Sequence, residues 1–301
     1  MTFAKPRKYA AVSVYALSTL LILSAFATAN ADLIVTPTVD TSALSSAVKG
    51  SGVINVTASI MHGVDSQFGT YAGFSKTPIT IGNGIVLSSG NVADVVGPAQ
   101  SSDFPATDLA GSGTPEFDAY GPGHIPNFQS SFDVAALLIN FELNAPSQIQ
   151  FDLVFGSIEF PNWVNQYSDS VLAFLDGTNQ QIIFDSKGNP IDVGSSFASL
   201  VSTKDVNSAF GGPHGVLGIT TTSGLLSAGT HSLLFEVGDV NDHILDSAAF
   251  ISNLRTGTGT EGSTINDPGE YELHGVPEPS SFALMALGGI GLAVGAYRRR
   301  H

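Results

Sequence analysis

Short segments with strand periodicity, recurring between residues 53 and 254, limit the fold of this chain more than any other feature. In the clearest one, Ile149, Phe151 and Leu153 are apolar and the residues between them are polar, as in a strand with one buried face. Comparable segments are 53–60, 79–87, 136–143, 170–175, 181–184, 216–221, 231–237 and 248–254. Long helical periodicity occurs only at the two ends of the chain. The pattern predicts an all-β fold, an antiparallel β-sandwich that is jelly-roll-like.

Other local signals refine this prediction. A short N-terminal helix is expected over 40–49, where Leu44 and Val48 share a face and Gly50 ends the segment. Asn83 and Gly84 predict a hairpin or a bulge. Residues 92–129 are rich in Gly, Pro, Ser and Asp, which indicates a long excursion from the core. Residues 256–266 are mostly Gly, Thr and Ser, so we expect the β domain to span 32–254 and a flexible linker to follow at 255–275.

The N-terminus carries the pattern of a secretory signal peptide. Lys5, Arg7 and Lys8 precede an apolar run over 10–27, and Ala29-Asn30-Ala31 supplies small residues at the positions that signal peptidase requires. Cleavage is therefore expected between Ala31 and Asp32. Residues 1–31 and the C-terminal tail are processing segments, so they are left out of the fold prediction.

The C-terminal tail has three parts in a fixed order. Pro277, Glu278 and Pro279 form an extended peptide, because proline disfavours both helix and sheet hydrogen bonding. The uncharged run 281–297 is just long enough for a single transmembrane helix. The run is followed directly by Arg298, Arg299 and Arg300, and basic residues beside a span stay in the cytoplasm. The tail therefore predicts a membrane anchor with the β domain outside.

This tail, residues 276–301, resembles a PEP-CTERM sorting signal, with Pro277, Glu278 and Pro279 at the motif that gives the signal its name. The resemblance implies export across the inner membrane of a Gram-negative bacterium and a membrane-anchored precursor. An exosortase would then cleave at the motif and pass the protein to the cell surface or extracellular matrix. The alternative is an ordinary single-pass anchor that follows a proline-rich linker.

Composition narrows the classes of partner and cofactor. The chain has 26 Asp and Glu against 11 Lys and Arg, a net charge of −15 at pH 7, and six of the basic residues lie in the two terminal segments. Such a surface repels nucleic acid and anionic lipid, and it favours divalent cations. It also simply keeps an exported protein soluble. The chain contains no cysteine, which excludes disulfides, thiolate metal sites and a cysteine nucleophile.

Carboxylates gather at the ends of several predicted strands. The residues are Glu159, Asp169, Asp239, Asp242 and Asp246. Calcium takes about six to eight oxygen ligands, and carboxylates on loops supply them. The spacing does not match an EF-hand, because the loop after Asp239 has no central glycine. The competing interpretation is that these side chains cap turns through backbone amides. The sequence leaves both interpretations open, a calcium site and turn-capping carboxylates.

Several motifs in register resemble a choice-of-anchor L domain over residues 33–254. They are 44–53, which ends in Gly-Ser-Gly-Val, Gly84-Ile-Val-Leu-Ser-Ser-Gly90, Phe155-Gly-Ser-Ile-Glu-Phe-Pro161, Asp169-Ser-Val-Leu-Ala-Phe174 and 239–250. The resemblance implies a secreted, surface-displayed β domain without established catalytic activity. That family tends to place two acidic residues where this chain has Ile158 and Glu159, so a metal role at this turn rests on Glu159.

The sequence offers little support for an enzyme. It has no Gly-x-Ser-x-Gly elbow and no His-Glu-x-x-His helix. We therefore expect a non-enzymatic structural or adhesive protein of the exopolysaccharide or biofilm layer. A calcium-dependent glycan-binding module is the first alternative, because Trp163 and Tyr167 beside Glu159 could stack on a sugar unless they cover the end of the sandwich. A secreted hydrolase that uses Glu159 and Asp242 is the second.

Overall fold

The computed structural model describes Met1 and residues 32–266, except for 77–78, 98–102, 165, 179, 186, 198–200 and 202–206. The predicted cleavage site after Ala31, the predicted transmembrane helix 281–297 and the sorting motif lie outside the described residues. Within the described residues, no helix is long and apolar enough to cross a membrane.

In this part of the chain, twelve strands form two antiparallel sheets. In spatial order, the seven-stranded sheet contains β1 (Ile34–Pro37), β3 (Phe68–Lys76), β4 (Ile79–Ser88), β11 (Ser247–Gly257), β6 (Gln148–Ser157), β9 (Gly215–Thr222) and β12 (Gly262–Ile265). The five-stranded sheet contains β2 (Ile54–His62), β5 (Ser131–Leu143), β10 (Gly229–Val240), β7 (Ser170–Leu175) and β8 (Ile191–Asp192). The fold is therefore an all-β sandwich.

Eight of these strands form one rolled double ribbon. β4 pairs with β11, β5 with β10, β6 with β9, and β7 with β8, all antiparallel. Further pairing of β11 with β6 and of β10 with β7 closes the ribbon into the two sheets. This is the strand order of a jelly roll. It brings chain segments that are far apart in sequence to the same end of the sandwich.

The core lies between the sheets, and both outer faces are partly covered. Phe151 on β6 meets Phe235 on β10 edge to face at 5.2 Å between ring centroids, in the middle of the buried cluster. A second apolar cluster lies around Phe250 and a third around Phe117 of the short helix α2 (Pro115–Tyr120). Strands that are covered on both faces lose polar alternation, which is why β7 is buried throughout.

The short N-terminal helix is present as α1 (Thr41–Val48). Its N-cap is Asp40, whose carboxylate accepts a hydrogen bond from the Ser42 backbone N–H at 2.9 Å. Leu44 and Val48 point into the core, as their spacing predicts. The prediction of this helix is confirmed.

One strand prediction and the linker prediction need correction. Residues 181–184 form isolated bridges instead of a strand. The predicted linker at 255–275 begins too early, because β11 continues to Gly257 and residues 262–265 form the edge strand β12. β12 pairs with β9, where the hydroxyls of Thr221 and Ser263 lie 2.9 Å apart. A polar edge strand and a linker have similar sequences. They differ in backbone hydrogen bonding to a neighbouring strand, which the sequence pattern does not show. The sequence also does not predict β1, β3 and β8.

Candidate metal centre

The predicted acidic residues meet at one end of the sandwich because of strand direction. β6 ends where β11 begins, with Ser157 opposite Ser247, and β10 ends where β7 begins, with Gly238 opposite Ser170. The turn after β6 carries Glu159, and Asp169 immediately precedes β7. The loop between β10 and β11, residues 241–246, is called here the acidic loop.

Three of the predicted ligands form one compact group. Glu159, Asp169 and Asp242 each place a carboxylate oxygen within 4.8 Å of the others. Glu159 and Asp169 are fully buried, whereas Asp242 is only half-buried. We call these residues, together with the adjoining Asp239, the acidic centre. Asp242 is the most exposed of the three.

The buried oxygens of the centre are unequally satisfied. Asp169 accepts hydrogen bonds from the Val240 N–H at 3.0 Å and from the Ser247 hydroxyl at 2.7 Å. Glu159 Oε2 accepts a longer bond from the Asp169 N–H at 3.3 Å. Glu159 Oε1 is buried with no hydrogen-bond partner. A buried carboxylate oxygen without a partner is costly, and a cation is one ligand that can satisfy it.

Asp239 adds two more buried oxygens that lack hydrogen-bond partners. It is fully buried, and neither carboxylate oxygen has a hydrogen bond of ordinary geometry. Burial raises its pKa well above the usual range, the charge of Asp169 raises the pKa further, and the nearby Ser89 hydroxyl lowers it. Asp169 and Asp239 lie side by side, and ionised carboxylates only accept. Their contact becomes a hydrogen bond only when one of them carries a proton.

The pKa values of the other carboxylates in the centre are also raised. Burial raises the pKa of Glu159 well above its normal range, and the charges of Asp169 and Asp242 raise the pKa further. Burial also raises the pKa of Asp169 and, by less, that of Asp242. Among the described residues, no Lys or Arg forms an ion pair with these carboxylates. Within that part of the chain, the nearby positive group is the His243 imidazole when protonated, which lowers the pKa of Asp242.

The fifth predicted ligand, Asp246, forms its side-chain hydrogen bonds with Thr107, outside the acidic centre. Its Oδ1 accepts the Thr107 N–H at 2.6 Å, and its Oδ2 accepts the Thr107 hydroxyl at 3.1 Å. Gly90 lies so close to this carboxylate that a Cβ there would overlap it. Burial raises the pKa of Asp246 to about 6, and the bonds from Thr107 limit the rise. Asp246 thus ties the acidic loop to the excursion.

A second group of potential ligands, which the sequence does not single out, includes His243 of the acidic loop. Asp108, Asp133 and His243 bring one potential ligand atom each within 4.8 Å of one another. Asp133 is already used, because it accepts the backbone N–H groups of Leu109, at 3.2 Å, and of Gly111. The only sequence signal for Asp133 is a carboxylate inside an otherwise apolar strand. We interpret this group as an attachment of the excursion, residues 92–129, to β5 and the acidic loop.

Trp163 and Tyr167 pack at the sandwich end. Their rings meet edge to face at 6.0 Å, and Trp163 packs against the cluster around Phe250. The indole nitrogen is buried. This arrangement is that of a cover over apolar side chains.

The fold and the acidic centre define a β-sandwich protein with a carboxylate-rich end. The family model of the choice-of-anchor L domain matches residues 33–254, so the chain belongs to that family. The PEP-CTERM protein-sorting motif matches residues 275–300, and the protein is an exosortase-processed surface protein of a Gram-negative bacterium. No curated protein and no solved structure matches the chain.

Proposed function

We propose that the protein is a non-enzymatic structural and adhesive component of the extracellular polysaccharide or biofilm layer, and that its β domain is stabilised by a calcium ion at the acidic centre. The observation that carries the proposal is the unpartnered Glu159 Oε1 within 4.8 Å of oxygens of Asp169 and Asp242. A divalent cation relieves the repulsion among several carboxylates at once. A bound proton neutralises only one of them.

The chemistry of the ligands favours calcium over other metals. All donors in the acidic centre are oxygens, and the chain offers no thiolate. Oxygen ligands suit calcium and magnesium, whereas zinc prefers nitrogen and sulfur. Magnesium needs near-octahedral geometry and keeps several waters, which suits an exposed site better than buried carboxylates. Calcium sites of extracellular modules have dissociation constants of about 10⁻⁴ to 10⁻³ M, so such a site fills after export.

Burial argues against the hydrolase alternative. A glycosidase acid must touch the glycosidic oxygen, and inverting enzymes also need room for a water between the two carboxylates. Glu159 has an exposed fraction of 0 %, so a sugar ring does not reach it in this conformation. The glycan-binding alternative loses support from Trp163, because its ring covers apolar side chains.

The test compares the full chain, purified in detergent, in chelator and in millimolar calcium. Calcium at about a hundredfold over its dissociation constant should add about 2.7 kcal/mol to the free energy of unfolding. Calorimetric titration should give one ion per chain. Glu159→Gln should remove most of this gain. The matched control is Asp185→Asn, which alters a carboxylate that caps a turn through the N–H groups of Lys187 and Asn189 and should leave the calcium gain unchanged.

Adhesion is tested separately from ion binding. The same protein is incubated with extracellular polysaccharide from the producing cells, with and without calcium. Retention that depends on calcium and is lost in Glu159→Gln supports the adhesive role. Calcium binding without any retention would restrict the proposal to a structural role.

A further inference from the structure

Residues 103–111 run across the acidic end of the sandwich and are called here the strap. We infer that calcium at the acidic centre controls how tightly the strap is held against the domain. This inference rests on the proposed calcium site, and it assigns that site a regulatory effect on a surface segment that contains none of the proposed ligands.

The polar attachments of the strap converge on the acidic loop and on Asp133. The Asp246 N–H donates to the Pro105 carbonyl at 3.1 Å, and the Asp246 carboxylate accepts two hydrogen bonds from Thr107. His243 Nδ1 lies 3.8 Å from Asp108 Oδ1 and 3.4 Å from Asp133 Oδ2. Leu109 and Gly111 donate their N–H groups to Asp133. Pro105, Thr107 and Asp108 are therefore held by the acidic loop. Leu109 and Gly111 are held by Asp133 of β5, which His243 of the loop contacts.

The acidic loop is joined directly to the centre. Asp242 belongs to both, and the carbonyl of Asp246 accepts the Ile158 N–H at 3.2 Å, one residue before Glu159. Asp246 thus connects the Glu159 turn, through its carbonyl, with the strap, through its N–H and carboxylate. Displacement of the Glu159 turn or of Asp242 moves the anchor of the strap.

The loop has a strained backbone that needs external support. Asn241 has φ 74° and Leu245 has φ 71°. A left-handed conformation costs about 1–2 kcal/mol for a residue such as Leu245, whereas Asn tolerates it, so Leu245 keeps this conformation only when its surroundings hold it. Without a cation, repulsion from Glu159 and Asp169 acts on Asp242 and pushes the loop outward. A cation reverses that force, which pulls the loop inward and seats the strap.

A neighbouring segment provides an internal control. Helix α2 also lies in the excursion, but its contacts differ from those of the strap. The Thr114 hydroxyl donates to Glu236 at 2.7 Å, and Phe117 is buried against the five-stranded sheet. The inference therefore predicts that calcium affects the strap and leaves α2 nearly unchanged.

The experiment is amide hydrogen exchange on the full chain in detergent, with and without calcium. Calcium should slow exchange of the Thr107, Leu109 and Gly111 amides about tenfold, while the Phe117 and Gly121 amides change less than about twofold. Asp242→Asn should abolish both calcium binding and the slowing. If calorimetry shows calcium binding but the strap exchanges at the same rate, or the whole chain slows uniformly, the inference is overturned and the proposed function stands. If calcium does not bind, both fail.

A strap variant supplies a reciprocal test. Thr107→Val removes one donor to Asp246 and touches no carboxylate of the centre. Because coupling between two sites is mutual, it should weaken calcium binding about two- to fivefold and reduce the slowing of strap exchange. The matched control is Thr57→Val at an exposed position of β2, which should change neither. Equal calcium affinity in both variants would contradict the coupling.

Discussion

Two carboxylates on strand β10, Glu236 and Asp239, are buried in different ways. Glu236 lies under α2, where Glu236 Oε1 accepts the Thr114 hydroxyl and Oε2 has no partner. Burial raises its pKa to about 8, and the charges of Glu116 and Asp118 also raise it. Asp239 lies three residues further on, beside Asp169 in the acidic centre. Glu236 stands alone, whereas Asp239 belongs to a group.

Glu236 and Asp239 illustrate two ways in which a protein can bury carboxylates without a paired Lys or Arg. A lone carboxyl such as Glu236 is neutralised by a single proton at neutral pH. A group needs several protons or one divalent cation, and the cation also supplies a ligand for each unpartnered oxygen. We therefore expect that a bound proton neutralises Glu236 and that calcium neutralises the group that contains Asp239. Substitutions at the two sites, and at an ion pair elsewhere in the sheet, distinguish the two cases.

The largest effect is expected for Asp239→Asn, and its sign depends on calcium. In chelator, the variant should be more stable than the wild type, because it removes a buried carboxyl that must either ionise beside like charges or take up a proton. In calcium at about a hundredfold over the wild-type dissociation constant, it should lose most of the gain of about 2.7 kcal/mol. Melting temperatures in both conditions measure this. Glu236→Gln is the control and should leave the calcium gain intact; an equal loss in both variants would break the contrast.

The next effect is a pH dependence carried by Glu236. The pKa of Glu236 is about 8 in the folded state against 4.5 for an ordinary Glu. Between these values the folded state binds more protons than the unfolded state, so stability falls as pH rises. The slope from one group is at most about 1.4 kcal/mol per pH unit.

Glu236→Gln removes this slope. In saturating calcium, the variant and the wild type should differ little near pH 5, and the variant should become the more stable of the two by about 1–3 kcal/mol near pH 8. Urea denaturation at a series of pH values gives the difference directly. Parallel curves for the two proteins would show that Glu236 is already ionised at neutral pH and that α2 covers a charge.

Sequence patterns predict the positions of the strands better than they predict the roles of individual carboxylates. The pattern of β6 predicts which side chains enter the core, and the gathering of Glu159, Asp169 and Asp242 follows from the antiparallel pairing of strand ends. Asp246 looks equivalent to Asp242 in sequence, yet its partner Thr107 is 139 positions away. Asp239 falls after a register shift in the pairing of β10 with β5. Neither a distant partner nor a bulge leaves a local signal in side-chain periodicity.

The smallest effect is expected for a carboxylate that already has a cation. Asp152, on an outward-facing position of β6, accepts two hydrogen bonds from the Arg255 guanidinium, at 2.8 and 3.3 Å. Arg255→Met should cost only about 0.5–1 kcal/mol, because both side chains remain partly solvated, and high salt should reduce the loss further.

This pair completes the contrast because Arg255 already supplies Asp152 with a positive charge. Arg255→Met should therefore lower the melting temperature equally in chelator and in calcium. Thermal denaturation in the two conditions checks this. A loss that grows in chelator would mean that Arg255 senses the charge of the acidic centre across the sheet. Repulsion in the centre would then extend beyond the residues that contact it.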